Sequence, residues 1–197
     1  EANRCDGKAC WRTRGRLVSR RKREADIEAV TLPLRKIVSE SRNVDAFVIA
    51  CYSDPGLHVC REASEKPVFG IQECGILTAM SRGDRFGVIA LQERSIRRHL
   101  RYLRQIGVME RLAGERAAGL SVGESVSGKD TFEKLLAAAK QLRYSDQADT
   151  IILGCAGMAS HRAKLESAIG IPVINPVQAA VSMAMHSLLT TQQYEKS

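Results

Sequence analysis

The sequence contains few aromatic residues and no long run of apolar residues. Phe, Trp and Tyr together make up 5% of its 197 residues, although hydrophobic residues of all kinds make up 44%. The core of the folded chain must therefore be built mostly from aliphatic side chains. No apolar run approaches the roughly 20 residues that cross a bilayer, and no stretch near the start is typical of a signal peptide. We predict a cytoplasmic protein of one large domain or two small ones, with no membrane segment.

The sequence also lacks a dense cysteine framework and any spacing typical of zinc ligands. Three of its cysteines, at positions 51, 74 and 155, end apolar runs, which suits reduced thiols in the cytoplasm better than disulfides. The segment CDGKAC lacks the C-x-x-C spacing, and no second pair of Cys or His supports it, so we predict no metal site. The six cysteines are Cys5, Cys10, Cys51, Cys60, Cys74 and Cys155.

Basic residues exceed acidic ones, and nearly all of the excess lies at the start of the chain. Residues 1–23 carry nine Lys or Arg against two acidic residues, which is +7 of the net charge of +8. Residues 24–197 carry 21 basic and 20 acidic residues and are nearly neutral. A short basic run can be a nucleic-acid arm or a localisation signal, but a solvated, flexible head is the commoner case. We therefore predict no nucleic-acid partner.

Apolar segments that predict strands alternate with segments that predict helices. Each predicted strand is followed by a helical stretch, and QERSIRRHLRYLRQIG (92–107) is strongly amphipathic. This order is typical of an α/β fold with parallel sheets covered by helices, which bind ligands at the carboxyl ends of their strands. The predicted strands are DAFVIAC (45–51), KPVFGIQECG (66–75), RFGVIAL (85–91), ADTIILGC (148–155) and IPVINP (171–176).

Two of these strands end in a cysteine that is followed by small or turn-forming residues. VIACYSDPG (48–56) places Cys51 there, and IILGCAGMA (151–159) places Cys155 there. A thiol where a helix begins meets unpaired backbone N–H groups and the positive end of the helix dipole, which favour the thiolate. Two such thiols facing each other would supply a base on one face of a carbon atom and an acid on the other. We therefore predict that Cys51 and Cys155 are the catalytic pair.

The competing interpretation is that these cysteines are packing residues, because cysteine is often buried and behaves as a small hydrophobe. We expect that role for Cys60, which lies within a predicted helix. Cys74 also ends an apolar strand and is the rival of the pair, although no small-residue helix start follows it. Asp54 has two interpretations, a helix N-cap beside Pro55 or a group that orients Cys51 or binds substrate.

The histidines offer no comparable pattern. His58, His99 and His186 fall within predicted helices, where we expect surface or core positions. His161 lies six residues after Cys155, more than one helical turn away, so we expect no catalytic role for it.

At the two cysteine segments the sequence resembles the aspartate/glutamate/hydantoin racemase superfamily. IACYSDPG and LGCAGMA are similar to the hydantoin and allantoin racemase branch. The amino-acid racemases of the superfamily tend instead to carry Asn-Thr after the first cysteine and Thr-His after the second. PVFGI, RFGVIAL, RSI and IPVINPVQAAV extend the resemblance from about residue 43 to about residue 187.

The resemblance implies two pseudo-symmetric halves, each a mostly parallel sheet flanked by helices, with the active site between them. It implies racemisation of a hydantoin- or allantoin-type cyclic ureide without a cofactor, by proton transfer between two thiols. Carried over by position, Cys51 and Cys155 would be the acid and the base. The residues that would line the substrate are Tyr52, Ser53, Ala156 and Gly157.

The resemblance also divides the chain after the basic head. Residues 24–83 together with 173–197 would form the first half, and residues 84–172 the second. The family pattern begins with a strand and an Asn-Pro-Asn-Thr-like loop that contributes to the site, and no such stretch precedes Cys51. We therefore expect that the first strand is missing or replaced, which would expose a sheet edge and open one wall of the pocket.

Two other functions stay open. The first is racemisation of an acidic amino acid or isomerisation of a dicarboxylate, which cationic side chains near the cysteines would favour; none is evident at either motif. The second is a truncated or diverged member that no longer catalyses and binds a partner through the basic head. In the main hypothesis the partner is a small-molecule substrate, and the resemblance suggests a homo-oligomer, for which the sequence shows no independent signal.

Overall fold

The computed structural model describes residues 24–192, so the basic head predicted at residues 1–23 lies outside the described residues. None of the described helices is long and apolar enough to cross a membrane. The described strands are β1 (Phe47–Ile49), β2 (Val68–Gly70), β3 (Phe86–Ala90), β4 (Leu112–Ala117), β5 (Thr150–Leu153) and β6 (Val173–Ile174). The described helices are α1 (Glu24–Glu28), α2 (Thr31–Glu40), α3 (Leu57–Glu62), α4 (Ile71–Met80), α5 (Glu93–Gln105), α6 (Glu124–Ser127), α7 (Thr131–Lys140), α8 (Arg162–Ile169) and α9 (Pro176–Gln192).

The described strands form two separate parallel sheets. β1 and β2 pair in a small sheet, in which Val48 lies opposite Phe69. The larger sheet has the order β4-β3-β5-β6, and each neighbouring pair runs parallel. All residues of β3 and β5 are buried, which explains why these two strands are continuous apolar runs in the sequence. The predicted α/β fold of parallel sheets flanked by helices is confirmed.

Successive side chains of β3 and β5 enter two different cores, one on each face of the larger sheet. Ile89 and Leu153 belong to a core that includes Leu135 of α7. Val88 and Ile152 belong to a core that draws on α4, α5 and α9. Because neighbouring residues of a strand face opposite sides, helices α7 and α8 cover one face and α4, α5 and α9 cover the other.

The small sheet has a core of its own. Val38 of α2, together with Leu57 and Cys60 of α3, packs against Ile49 and Val68 of the two strands. Helix α9 lies along α4 and also contacts β1 and β2. Helices α4 and α9 therefore lie where the small sheet meets the larger one.

The structure corrects the sequence-based assignment in two strands. The strand predicted at residues 66–75 ends at Gly70, and helix α4 begins at the next residue. Strand β4 has no counterpart among the predicted strands, because its sequence LAGERA mixes glycine and charged residues with apolar ones. It lies at the end of the sheet order, where a strand needs only one strand neighbour.

The boundary predicted at residue 173 also differs from the sheet topology. Residues 173–174 form β6, which pairs with β5 in the larger sheet rather than with the small one. Helix α9, which follows β6, packs against α4. The division of the chain into two halves is otherwise still a prediction.

Candidate active site

One cavity joins both cysteines of the predicted pair. Cys51 follows β1 by two residues, and Cys155 follows β5 by two residues, so each lies at the carboxyl end of its strand. Both are half-buried and line a cavity of about 190 Å³. The rest of its wall comes from residues 52–53, 91–92, 120–122 and 154 and from the first turns of α5. The cavity therefore lies where the carboxyl ends of strands from both sheets converge, as the strand order predicts.

Cys155 is held by the turn that follows it. Its backbone is extended, and the N–H of Gly157 donates to its Sγ at 3.4 Å. A Cβ atom on Gly157 would lie 2.3 Å from the Oγ of Ser125, so only glycine fits this close approach. The segment after Cys155 is a 3-10 helix (Ala156–His161), and α8 begins only at Arg162.

Cys51 lies at the start of a tight turn. The N–H groups of Ser53 and Asp54 donate to the carbonyl oxygen of Cys51 at 2.7 and 2.9 Å. Helix α3 begins only at Leu57, so the expectation that a helix begins within about three residues of Cys51 is wrong, whereas Cys155 is the N-cap of the 3-10 helix that follows it. This turn, and not the N-terminus of α3, therefore places Cys51 at the cavity.

The side chain of Asp54, at the end of this turn, bonds to the start of helix α4. The two carboxylate oxygens accept N–H groups of Gln72 and Glu73, at 2.9 and 2.8 Å, and so cap helix α4. Burial raises the pKa of the Asp54 carboxyl from 3.8 to about 7, although the two N–H donors lower it. A Cβ atom on Gly70 would lie 2.2 Å from this carboxylate. Asp54 is therefore a helix cap, but of α4 rather than of the helix that follows it.

The four predicted substrate residues divide into two pairs. Tyr52 and Ser53 line the cavity together with Cys51. Ala156 and Gly157 follow Cys155 directly but are not part of the cavity wall. A role in substrate binding is still a prediction for all four.

Helix α5 supplies four cavity residues that sequence reasoning missed. Arg94 and Arg98 are four residues apart, as are Ser95 and His99, and all four line the cavity. Residues four apart share one face of a helix, and this spacing was the available signal. Cationic side chains therefore do reach the cysteines, from a helix remote from either motif.

Arg98 contacts the Cys51 turn directly. Its Nε donates to the Oγ of Ser53 at 2.9 Å, and its side chain is 15% exposed. Its Nη1 lies 3.8 Å from a carboxylate oxygen of Glu24. Burial lowers the pKa of the Arg98 guanidinium, whereas the charges of Glu24 and Cys51 act in the opposite direction. The guanidinium is thus held between α1 and the turn that carries Cys51.

His99 is buried and hydrogen-bonds to a carboxylate, whereas the other three histidines are exposed or half-buried. Its Nδ1 hydrogen-bonds to Oε1 of Glu115, and the two side chains are 3% and 1% exposed. The ring of Tyr52 meets the His99 ring edge-on, with 5.1 Å between the ring centroids. His58 and His186 are exposed and His161 is half-buried.

Neither Cys74, the rival of the pair, nor Cys60 lines the cavity. Cys60 lies in α3 and Cys74 in α4, and both are buried in hydrophobic cores. Burial raises the pKa of Cys74 to about 12, so this thiol stays protonated near neutral pH. Among residues 24–192, no group of three or more His, Cys, Asp or Glu side chains could hold a metal ion.

The chain is similar in sequence to known proteins. The family model of Asp/Glu/hydantoin racemases matches residues 13–184. The chain is 39% identical over 146 residues to a hydantoin racemase of Rhizobium meliloti. This alignment covers 74% of this chain and 61% of that protein. It is 38% identical over 142 residues to a hydantoin racemase of Paenarthrobacter aurescens, covering 71% and 60%. The chain thus spans about three fifths of the length of these curated relatives.

Solved structures of allantoin racemases resemble the fold as a whole. The enzyme from Klebsiella pneumoniae aligns with a TM-score of 0.75 and 31% identity, over 85% of this chain and 67% of that one. The enzyme from Pseudomonas fluorescens aligns with a TM-score of 0.77 and 28% identity, over 85% and 72%. With its parallel sheets, its cysteine-lined cavity and a family match over most of its length, the chain belongs to the Asp/Glu/hydantoin racemase family.

Proposed function

We propose that this protein racemises a cyclic ureide of the hydantoin or allantoin type, using Cys51 and Cys155 and no cofactor. The observation that carries the proposal is that both cysteines, 104 positions apart in the sequence, line the same cavity. Relatives named hydantoin racemase and structural neighbours named allantoin racemase support this substrate class.

The chemistry needs one base and one acid on opposite faces of the ring carbon C5. The neighbouring carbonyl and ring nitrogen acidify the C5–H bond, so that a thiolate can remove the proton and leave an enolate. The second thiol then donates its proton to the other face, and the two cysteines exchange roles for the opposite enantiomer. The N–H of Gly157 supports a negative sulfur at Cys155, because a charged acceptor strengthens that hydrogen bond.

The test is racemisation and solvent-deuterium exchange at C5, measured from each enantiomer of a 5-substituted hydantoin and of allantoin. Cys51→Ser and Cys155→Ser should each slow racemisation at least about a hundredfold, because one proton transfer loses its group. A variant that keeps exchange with one enantiomer would identify which face each thiol serves. Cys60→Ala is the matched control, since Cys60 is buried outside the cavity. Full activity in both serine variants would contradict the proposal.

A second candidate, an acidic substrate, is favoured by the charge of the cavity wall. Arg94 and Arg98 line the cavity, and no Asp or Glu does so within the described part of the chain. A carboxylate substrate would therefore meet two cationic side chains there and no carboxylate of the protein. The test compares D- and L-glutamate and aspartate with the hydantoins, in wild type and in Arg94→Gln. The acidic substrate would replace the first proposal if the wild type racemises the amino acids but not the hydantoins, and if Arg94→Gln slows that racemisation.

The third hypothesis, a protein that no longer catalyses and binds a partner through residues 1–23, needs a separate experiment. Removal of these residues should leave racemisation unchanged if they are an accessory to the enzyme. The third hypothesis would be supported instead if the full chain racemises none of the substrates above and removal of residues 1–23 abolishes binding to a partner.

A further inference from the structure

His99 is the one histidine among residues 24–192 that lines the cavity shared by the two cysteines. Its side chain belongs to helix α5 and is only 3% exposed. An imidazole has two polar atoms, Nδ1 and Nε2, and a buried polar atom without a partner costs free energy. The partners of these two nitrogens therefore decide what His99 can do at the cavity wall.

The first nitrogen, Nδ1, is bonded within the protein. It hydrogen-bonds to Oε1 of Glu115, a side chain of β4 that is 1% exposed. An ionised carboxylate only accepts hydrogen bonds, so the hydrogen of this bond is carried by Nδ1. In the neutral imidazole the opposite nitrogen, Nε2, then holds a lone pair and is an acceptor.

The second nitrogen, Nε2, has no hydrogen-bond partner within the described part of the chain. It is also not among the described polar side-chain atoms that are fully buried without a partner. An atom that lacks a partner and is not fully buried keeps contact with open space. Because His99 borders the cavity of the two cysteines, Nε2 is an unused acceptor at the wall of that cavity.

This acceptor complements the arginines of the same wall. A cyclic ureide has ring carbonyls, which accept hydrogen bonds, and ring N–H groups, which donate them. Arg94 and Arg98 can bind the carbonyls but not the N–H groups, because a guanidinium only donates. Nε2 of His99 supplies the acceptor that a ring N–H needs. A dicarboxylate has no such donor and would meet the lone pair of Nε2 with an acceptor of its own.

We propose that His99 is a substrate-binding residue whose Nε2 accepts a hydrogen bond from a ring N–H of the cyclic ureide. Glu115 is a positioning residue, since it acts through His99 by fixing which ring nitrogen carries the hydrogen. The class of ligand rests on the proposed racemase function. The inference adds the group that selects a ureide over a dicarboxylate.

The first experiment titrates the ¹⁵N-labelled full chain with unsubstituted hydantoin and follows the ring nitrogens of the histidines by NMR. The Nε2 resonance of His99 should move as hydantoin binds, because the new hydrogen bond forms at that atom. Its Nδ1 resonance should move less, since Nδ1 stays bonded to Glu115. The resonances of His58 and His186, which are exposed outside this cavity, are internal controls. An Nε2 resonance of His99 that is unchanged at the highest soluble concentration of hydantoin would overturn the proposal.

The second experiment compares racemisation of a 5-substituted hydantoin by His99→Gln and His99→Asn. The amide of Gln can reach the position of Nε2, whereas the shorter Asn can replace only Nδ1 and its bond to Glu115. His99→Asn should therefore lose at least about fivefold in kcat/KM, because a hydrogen bond to substrate is gone, and His99→Gln should lose less. His186→Gln is the control and should leave kcat/KM unchanged.

A merely structural role of His99 predicts the reverse order, because only Asn keeps the bond to Glu115. The reverse order, or equal losses in the two variants, would overturn the proposal. If neither variant folds, the titration of the wild type decides alone.

The two experiments also separate this inference from the proposed function. Racemisation of hydantoins by the wild type, without a response of the His99 resonances, would overturn the inference and leave the racemase function standing. A response of Nε2 in a protein that racemises no hydantoin would overturn the racemase function and keep His99 as a ureide-binding residue.

Discussion

At the scale of single residues, the site depends on short contacts that leave no room for other side chains. Asp54 has a positive φ of 41°, which non-glycine residues rarely adopt, and its carboxylate caps α4 in return. Gly70 and Gly157 are needed because a Cβ atom on either would collide with a neighbouring side chain. These positions shape the two turns that carry the cysteines.

The carboxyl of Asp54 should make stability depend on pH. Its pKa is raised on folding from 3.8 to about 7, so the folded protein binds this proton more tightly than the unfolded chain does. Its contribution to stability is therefore fully present below about pH 4 and is lost as the pH rises towards 7. Urea unfolding at several pH values should show this fall in the wild type. Asp54→Asn, which cannot ionise, should flatten it; an unchanged slope would contradict this assignment.

The Gly157→Ala variant should distort the Cys155 turn. The new Cβ atom would lie 2.3 Å from Oγ of Ser125 and 3.1 Å from a methyl group of Val126. Overpacking of this kind costs about 1–3 kcal/mol, which thermal unfolding would measure. The double variant Gly157→Ala/Ser125→Ala should recover part of that loss, because the nearest atom is gone. No recovery would mean that the collision with Ser125 is not the cause.

At the scale of secondary structure elements, the strands of the larger sheet and helix α7 build the core, whereas α5 serves the cavity. Leu135 of α7 is fully buried beside Leu153 of β5. Helix α5 buries only His99 and Leu103, and its exposed side is rich in arginine. Helix α7 thus contributes to the stability of the core, whereas α5 presents side chains to the cavity.

Substitutions in helices α7 and α9 should separate buried from exposed positions. Leu135→Ala should lower the free energy of unfolding by about 2–5 kcal/mol, because it leaves a cavity in a closed core. Leu189→Ala makes the same change on α9 at a side chain that is 63% exposed, and should cost less than about 0.5 kcal/mol. Denaturant unfolding of both variants checks the difference, and similar losses would contradict the assigned core.

At the scale of the whole molecule, the cavity is formed where the small sheet meets the larger one. Cys51 follows a strand of the former and Cys155 a strand of the latter. Arg98, from the helix after β3, crosses to the Cys51 turn through Ser53. This contact joins the carboxyl end of one sheet to a helix of the other.

Arg98→Met should therefore affect activity more than stability. Loss of the contact to Ser53 should lower the racemisation rate about tenfold or more, because the two thiols lose their mutual placement. The ion pair itself should contribute less than about 1 kcal/mol to folding, since Glu24 is 51% exposed. Arg101→Met is the control, because Arg101 also pairs with Glu24 but lies outside the cavity wall. Equal activity in the two variants would contradict this role.

The sequence by itself determined the α/β class and the two cysteines that reach the cavity. Continuous apolar runs such as FGVIA and TIIL form strands buried on both faces, and the residues after such strands meet at one edge. The cysteines could be found because they lie within two residues of those strand ends.

Only the tertiary structure decided which remote side chains join the cysteines. Arg98 bonds to Ser53 across 45 positions of sequence, and Asp54 caps a helix 18 positions away. Cys74, a rival in sequence, is removed from the site because the chain turns helical at Ile71. Strand and helix patterns report the contacts that a residue makes along its own segment, whereas these partners are set by the packing of segments that are distant in the chain.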